Sequence, residues 1–406
     1  MDPAIWSKLP QEILEMHVLA LLDYETLPVM RCVCKRWTGL FSSCHQFTPR
    51  CGSCHRHRSQ KKPFLMTTDG EEGICRAFNV CNPVTGEWRR FSLSFLAPVF
   101  ESRSFVASGG GLLCLRGIVA QKDDSISSTG GSEPVSDVKF LLCNPLTKSW
   151  RLLPDPPCGT DWDYSVKVLA FDEASNSFKI VLANVVVNVS ECFNSKTEIS
   201  IECDERREKQ LLAQIYDSDT DAWTTVSDTI YDESICQGVA VGGSIHFKAY
   251  STFHTWNQPR PRLVMEGVSM DLQTKSFAKF PLPAAFDITM LFEGFPSESV
   301  DEMTVMDFQG CLSIADPVNA RVLKMNEKGA WTRAMKLPFK QNKDWRKMCL
   351  GNGDFLFFPC KENFGLICYN ASKKSWIRVD GANIRESKKG WVWQNFSLFH
   401  PSLHQV

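Results

Sequence analysis

The densest set of potential ligands in the chain is Cys51-Gly-Ser-Cys54-His55-Arg-His57. Two thiols followed at once by an imidazole match the spacing for covalent haem attachment, and Cys51, Cys54, His55 and His57 together offer four zinc donors. Neither chemistry finds its context. Haem attachment needs an exporting context, and no neighbouring segment looks like a haem pocket. A structural zinc site wants a second ligand pair at finger-like spacing, and none follows within the next 15 residues. Cys44 and His45, upstream, keep zinc open as an alternative. The stretch from Pro49 to Lys62 contains no acid. It reads as a solvated basic linker, with a nuclear-import or phosphate-contacting patch as the other possibility. No metal or cofactor is expected.

Other chemistry is equally sparse. The chain has no phosphate-cradling glycine loop after a strand, no Gly-x-Ser-x-Gly elbow and no His-Glu-x-x-His helix. Its eight histidines are dispersed, and His246 sits in a strand pattern where a satisfied structural role is expected. Asp123-Asp124 and Asp161/Asp163 lie in polar loops and read as solvated turns. Six tyrosines and scattered arginines supply neither a radical-oxidase set nor an arginine triad, so no catalytic residue is expected. Recognition is better served. Tyr250-Ser-Thr-Phe253-His254-Thr-Trp256-Asn-Gln-Pro-Arg260-Pro-Arg262 places aromatics beside arginines, the residue types enriched at binding hot spots. Phe253, Trp256 and Arg260 are the candidate substrate-binding residues. Asp161-Trp162-Asp163-Tyr164 and Asp344-Trp345-Arg346 are similar in kind, although each aromatic could instead fold back onto its own sheet. Lys122–Asp137 reads as a flexible insert.

The elements that must position such loops follow from composition and pattern. The chain has 406 residues, a formal charge of −1 and 22% charged residues, which gives no electrostatic case for nucleic acid or membrane as partners. The first residues lack the basic and apolar regions of a signal peptide. The longest mostly apolar run, near Lys179–Val189, is too short to span a bilayer. Seventeen cysteines, odd in number and mostly set in strand-like runs, read as buried small hydrophobes in a reducing compartment. Cytoplasm or nucleus is the expected location.

Residues 1–46 carry two helical stripes. Pro10 suits a first helical turn, where its missing N–H costs nothing. Ile13, Leu14, Val18, Leu21 and Leu22 then share one face, and Leu27, Met30, Val33, Cys34, Trp37 and Leu40 form a second stripe. A unit this small cannot bury both, so a partner should cover part of the apolar face. Leu9-Pro10, Ile13-Leu14, Leu22 and Val33-Cys34-Lys35-Arg36-Trp37 together resemble the F-box, the helical module that docks on the Skp1 adaptor of a cullin–RING ubiquitin ligase. The resemblance implies a Skp1 face made of Leu9, Pro10, Ile13, Leu14, Leu22, Leu27, Val33, Cys34 and Trp37. Pro28 departs from a helix interior and fits if Thr26 caps a second helix. The alternative is an amphipathic hairpin packed on the rest of the chain.

After the linker (47–65) the sequence turns to short β-like runs with internal repetition. Six stretches share one plan, an apolar run, an Asn or Asp opening a polar turn, then an aromatic. The turn residues are Asn82, Asn144, Asp217, Asp271, Asn326 and Asn370, and the aromatics are Trp88, Trp150, Trp223, Phe277, Trp331 and Trp376. Successive aromatics stand 62, 73, 54, 54 and 45 residues apart, close to one four-stranded blade each. A β-propeller over 66–400 is expected, with six blades or with a seventh closed by strands around Lys389–Phe399. A β-sandwich array is the alternative. Gly111-Leu-Leu-Cys114 and Cys143-Asn144-Pro-Leu-Thr-Lys-Ser-Trp150 resemble the wording of the kelch-like and F-box-associated propellers that follow plant F-boxes. The resemblance implies a non-catalytic substrate-recognition subunit of a Skp1–cullin–F-box (SCF) ubiquitin ligase, with a target protein held by the propeller. An interaction scaffold outside any ligase and a metal-dependent or redox propeller enzyme are the rival readings.

Overall fold

The computed structural model describes residues 10–19, 30, 33–43, 64–69, 75–96, 100–119, 138–160, 164–172, 174–186, 209–229, 233–253, 262–283, 288–289, 303–316, 319–337, 349–359, 366–379 and 396–402. Helix comes first. The Pro10 carbonyl accepts from Ile13 and Leu14 at 3.0 and 3.1 Å, starting α1 (Gln11–Ile13), which continues as a π-type stretch over Leu14–Val18. A second helix, α2 (Lys35–Ser43), opens where the Cys34 carbonyl accepts from Thr38 at 3.0 Å.

The rest is antiparallel sheet. β1 (Phe64–Asp69), β2 (Ala77–Cys81) and β3 (Trp88–Ser92) begin the first blade. The second is β4 (Phe100–Gly109), β5 (Leu112–Val119), β6 (Val138–Asn144) and β7 (Ser149–Leu152). The third is β8 (Val166–Asp172), β9 (Ser177–Val186), β10 (Gln210–Asp217) and β11 (Ala222–Thr229). The fourth is β12 (Glu233–Val241), β13 (Ser244–Phe253), β14 (Arg262–Asp271) and β15 (Phe277–Pro281), with the short β16 (Ile288–Thr289) added to β14. The fifth is β17 (Thr304–Phe308), β18 (Cys311–Asp316), β19 (Arg321–Met325) and β20 (Trp331–Lys336). The sixth is β21 (Leu350–Asn352), β22 (Phe355–Pro359), β23 (Leu366–Asn370) and β24 (Ser375–Val379). The last strand, β25 (Phe396–Phe399), pairs antiparallel with β1, Phe64 opposite Phe399, and completes the first blade.

Six sheets therefore form among the described residues, and their first strands touch in a closed circle, β4 to β8 to β12 to β17 to β21 to β25 and back to β4. This is a six-bladed propeller. The strands around Lys389–Phe399 close the first blade rather than build a seventh, because β1 has an edge free for exactly one more partner. A sheet of four short strands cannot cover both faces by itself, so each blade packs on the next. Five apolar clusters fill five of the seams, first with second, second with third, third with fourth, fifth with sixth, and sixth with first. Middle strands are consequently buried on both faces, as in Phe140-Leu-Leu-Cys143, while outer strands such as β3 and β20 are partly exposed.

All six Asn/Asp turns form as the sequence predicts. Asn82, Asn144, Asp271 and Asn326 each accept two backbone N–H bonds on their side-chain oxygens, at 2.7–3.4 Å, while Asp217 and Asn370 accept one each. Every turn then passes through a left-handed residue, Gly86, Lys148, Asp221, Lys275, Gly329 or Lys374. The side-chain bonds are what let non-glycine residues hold that conformation. The aromatics also lock blades together. Trp223 Nε1 donates to the Pro154 carbonyl of the preceding blade at 2.7 Å, and Trp331 Nε1 to that of Pro281 at 2.8 Å.

The inner circle is tight. A Cβ on Gly351 would lie 2.7 Å from the Asp307 carbonyl oxygen, and one on Gly238 would run into Val166 and Val168 of the neighbouring blade. Gly238→Val is therefore expected to lower unfolding free energy by about 1–3 kcal/mol through overpacking, read as a shift in the urea midpoint. Removal of residues 396–406, which strips β25 from β1, should lose the single cooperative transition altogether.

Candidate functional site

Strand direction sorts the connections onto two rims. First-to-second and third-to-fourth strand turns lie on one rim, and there they are short, such as Gly242-Gly243 and Asp271–Ser276. Second-to-third and blade-to-blade connections lie on the other, which carries the long ones, 120–137, 187–209, 282–303 and 380–395, beside short ones at 230–232 and 317–320. β1 is a second strand, so the chain coming from the helical module enters at the short-turn rim. The tail returns to the same rim. Ser402 Oγ donates to the Gly110 carbonyl at 2.5 Å, and Asn144 Nδ2 donates to the Ser402 carbonyl at 3.0 Å. The strand that follows the helical module and the chain tail thus lie at the rim opposite the long connections.

The three recognition stretches all root at the long-loop rim. Phe253 closes β13 opposite Arg262, while Trp256, Arg260, Asp161, Trp162, Asp163, Asp344, Trp345 and Arg346 lie outside the described residues, as does Lys122–Asp137. Tyr164 is different in outcome. It is 4% exposed, and its hydroxyl donates to Gln214 Oε1 at 3.0 Å. It folds back onto its own blade and is no recognition residue.

In the helical module, Ile13 is 43% and Val33 57% exposed. Pro10 and Cys34 are exposed, whereas Leu14 and Trp37 are half-buried. Leu9, Leu22, Leu27 and the proposed cap at Thr26 lie outside the described residues. Among its described residues the module buries Leu19 and Glu15, and Glu15 accepts from Arg36 Nε at 2.6 Å and Arg36 Nη2 at 3.0 Å. The hydrogen bond first, and the charge second, raise the Arg36 guanidinium above its ordinary value. This fork ties Val33–Trp37 to α1 across 21 residues of sequence. No local pattern announces it, because each partner reads alone as a solvated charge on a helix.

Catalytic readings find little support in the propeller. Arg151 donates to Tyr216 Oη at 2.7 Å and to Asp221 at 3.0 Å, and Tyr216 in turn donates to Asp221. Burial first, then the Asp221 hydrogen bond, raises the Tyr216 phenol well above its usual range, so it stays protonated and acts as a strut between blades. His246 packs edge-on to Phe280 at 5.7 Å, and burial lowers its pKa. It is buried, but the expected satisfied role is met only in part, because its Nδ1 has no hydrogen-bond partner among the described residues. Burial pushes the Cys81, Cys114 and Cys368 thiols up to about 12, which removes them as nucleophiles. Among the described residues no group of three or more His, Cys, Asp or Glu could hold a metal ion, and Cys51, Cys54, His55 and His57 lie outside them. No helix of the described residues is long and apolar enough to cross a membrane.

Comparison with known proteins joins the two surfaces. Residues 134–406 match the F-box associated beta propeller domain, and residues 6–47 match the F-box domain. The chain is 26% identical to an F-box/kelch-repeat protein of Arabidopsis thaliana over 61% of its own length and 52% of that protein's. The chain thus spans about half of that relative. It is 24% identical to F-box only protein 6 of Arabidopsis thaliana over 99% of its own length and 75% of the relative's. A streptogramin B lyase structure overlaps 81% of this chain and 84% of its own, at 9% identity and a TM-score of 0.35, too slight a likeness to carry meaning.

Two outcomes test this geometry. Arg36→Lys keeps the charge but loses the fork, and should speed amide exchange in residues 10–19 and 33–43 by about tenfold with propeller strands unchanged. Brief iodoacetamide treatment at pH 8, read by mass spectrometry, should alkylate exposed Cys34 and spare Cys81, Cys114 and Cys368.

Proposed function

The chain belongs to the F-box associated beta propeller family, and on that premise we propose that it is a substrate-recognition subunit of an SCF-type ubiquitin ligase. F-box proteins of this kind are non-catalytic adaptors. The F-box would dock a Skp1-type adaptor, and through it a cullin–RING assembly. The propeller would hold a target protein while other subunits transfer ubiquitin. Its contribution is proximity, the raised effective concentration of target lysines near the charged E2 enzyme.

The observation that carries this reading is the exposed apolar surface of the helical module. Among its described residues Leu19 and the Glu15 carboxylate are buried, while Ile13 and Val33 stand in water. Exposed branched aliphatics on a unit this small ask for a cover, and burying one contributes about 1.5–3 kcal/mol. Leu9, Pro10, Ile13, Leu14, Leu22, Leu27, Val33, Cys34 and Trp37 are the proposed adaptor face. The two-rim arrangement supports the division of labour, since the strand that follows the module starts at one rim and the long connections lie at the other. Phe253, Trp256 and Arg260 are proposed to contact the target from that far rim.

The test is titration of the purified chain with a Skp1-type adaptor. Wild type should bind, Ile13→Asp and Val33→Asp should each weaken binding by roughly 10–100-fold, and bound adaptor should protect Cys34 from alkylation. A folded wild-type chain that ignores the adaptor would remove the ligase and leave an interaction scaffold. Combined Phe253→Ala, Trp256→Ala and Arg260→Ala should keep the adaptor and abolish ubiquitination of the target.

A further inference from the structure

The outer strand of each blade ends its sheet with an open backbone edge, and such edges invite strand addition unless a charge guards them. Five of the six outer strands present one. β3 exposes Arg89 and Arg90, β11 Asp228, β15 Lys279, β20 Arg333 and Lys336, and β24 Arg378. β7 does not. Its two exposed side chains are Trp150 and Leu152, at 37% and 42%. They are two of the three large apolar side chains that the described propeller residues leave in water, Val84 being the other. The charge of this strand, Arg151, is turned to the third blade, where it donates to Tyr216 at 2.7 Å and to Asp221 at 3.0 Å.

Trp150 also departs from its five counterparts. Trp88, Trp223, Phe277, Trp331 and Trp376 are half-buried, and Trp223 and Trp331 donate to a carbonyl of the preceding blade. Trp150 makes no such bond among the described residues. With Leu152 it shares the sheet face of Cys143 and Leu141, their partners in register, which is the face turned to the first blade.

A strand that covers this edge must bring apolar side chains two positions apart. β7 and its flanks supply them. Lys148-Ser-Trp150-Arg151-Leu152-Leu-Pro154-Asp155 is complementary to itself when two copies run antiparallel. A two-fold axis at Arg151 sets Trp150 of one copy opposite Leu152 of the other, twice, as a cross-strand pair. It also brings the exposed Lys148 of each copy toward the half-exposed Asp155 of the other. The two Arg151 side chains meet on the opposite face, each already paired with its own Asp221. Pro154 has no N–H to offer, so the pairing stops there.

We propose that β7 is a self-association edge, through which two copies of this chain pair antiparallel in an isologous dimer. Because the strands run oppositely, the long-loop rim of each copy lies beside the short-turn rim of the other. Both long-loop rims stay open, so self-pairing is compatible with target binding and does not depend on it.

Sedimentation equilibrium of the full chain tests this. The mass should rise with concentration from 45.9 kDa toward twice that value, with half-association at roughly 10–100 µM, as suits an interface of small area. Leu152→Arg and Trp150→Arg restore the edge charge that the other blades carry. Each should weaken association by about tenfold or more, with circular dichroism and thermal midpoint unchanged; if one misfolds, the other decides. The double variant Ile13→Asp/Val33→Asp, which removes the exposed apolar pair of the helical module, should associate as wild type does. In a mixture of Trp150→Cys and Leu152→Cys chains, glutathione disulfide should yield the mixed cross-link in preference to either like pair. A wild type that stays monomeric would overturn the second copy as occupant and leave the edge to a strand of another protein. Association that survives both arginine variants, or that is lost in the Ile13→Asp/Val33→Asp chain, would overturn β7 as the interface.

Discussion

Everything in the propeller depends on one constraint, that a four-stranded blade exposes apolar residues on both faces and must be covered by blades on both sides. An open row of such blades leaves two uncovered ends; a ring leaves none. The ring in turn forces its innermost strands together until side chains no longer fit between them, and glycine stands at Gly109, Gly238 and Gly351 for that reason. The last strand closes the first blade, so the two ends of the ring are joined by backbone hydrogen bonds between Phe64–Thr67 and Phe396–Phe399 rather than by packing alone.

Closure also decides what the surface can do. Alternating strand direction sends the short turns to one rim and the long connections to the other. The short-turn rim is conformationally committed, with Asn and Asp side chains bonded to their own turns and the chain tail fastened to Gly110 and Asn144. The long-loop rim is where sequence length and aromatic content are free to vary. The first described strand and the chain tail both lie at the committed rim.

Buried charge is used sparingly. The Glu15–Arg36 fork gives the helical module an internal tie between its two helical segments, while Ile13 and Val33 stay exposed. Asp316 with Arg321 is a similar internal tie on the fifth blade. Lys248, also buried, donates to the Met303 carbonyl.

The sequence alone determined the local chemistry. Six Asn/Asp turns and the aromatic in each following strand were legible because each rests on dihedral preferences and spacing within a few contiguous residues. The F-box wording at Leu9-Pro10 and Val33–Trp37 was legible in the same way. Six blades rather than seven was not, because the strand that settles it pairs across the whole chain, and nothing local tells β25 which edge it will meet. Whether Tyr164 faced a partner or folded back onto its own blade stayed open in the sequence, and the fold decided it by bringing Gln214 against its hydroxyl. The burial of Glu15 and Lys248 and the Glu15–Arg36 pairing have no local signature, since burial and pairing are properties of the tertiary arrangement. Local patterns specify elements; only long-range closure decides which side chains lose their water.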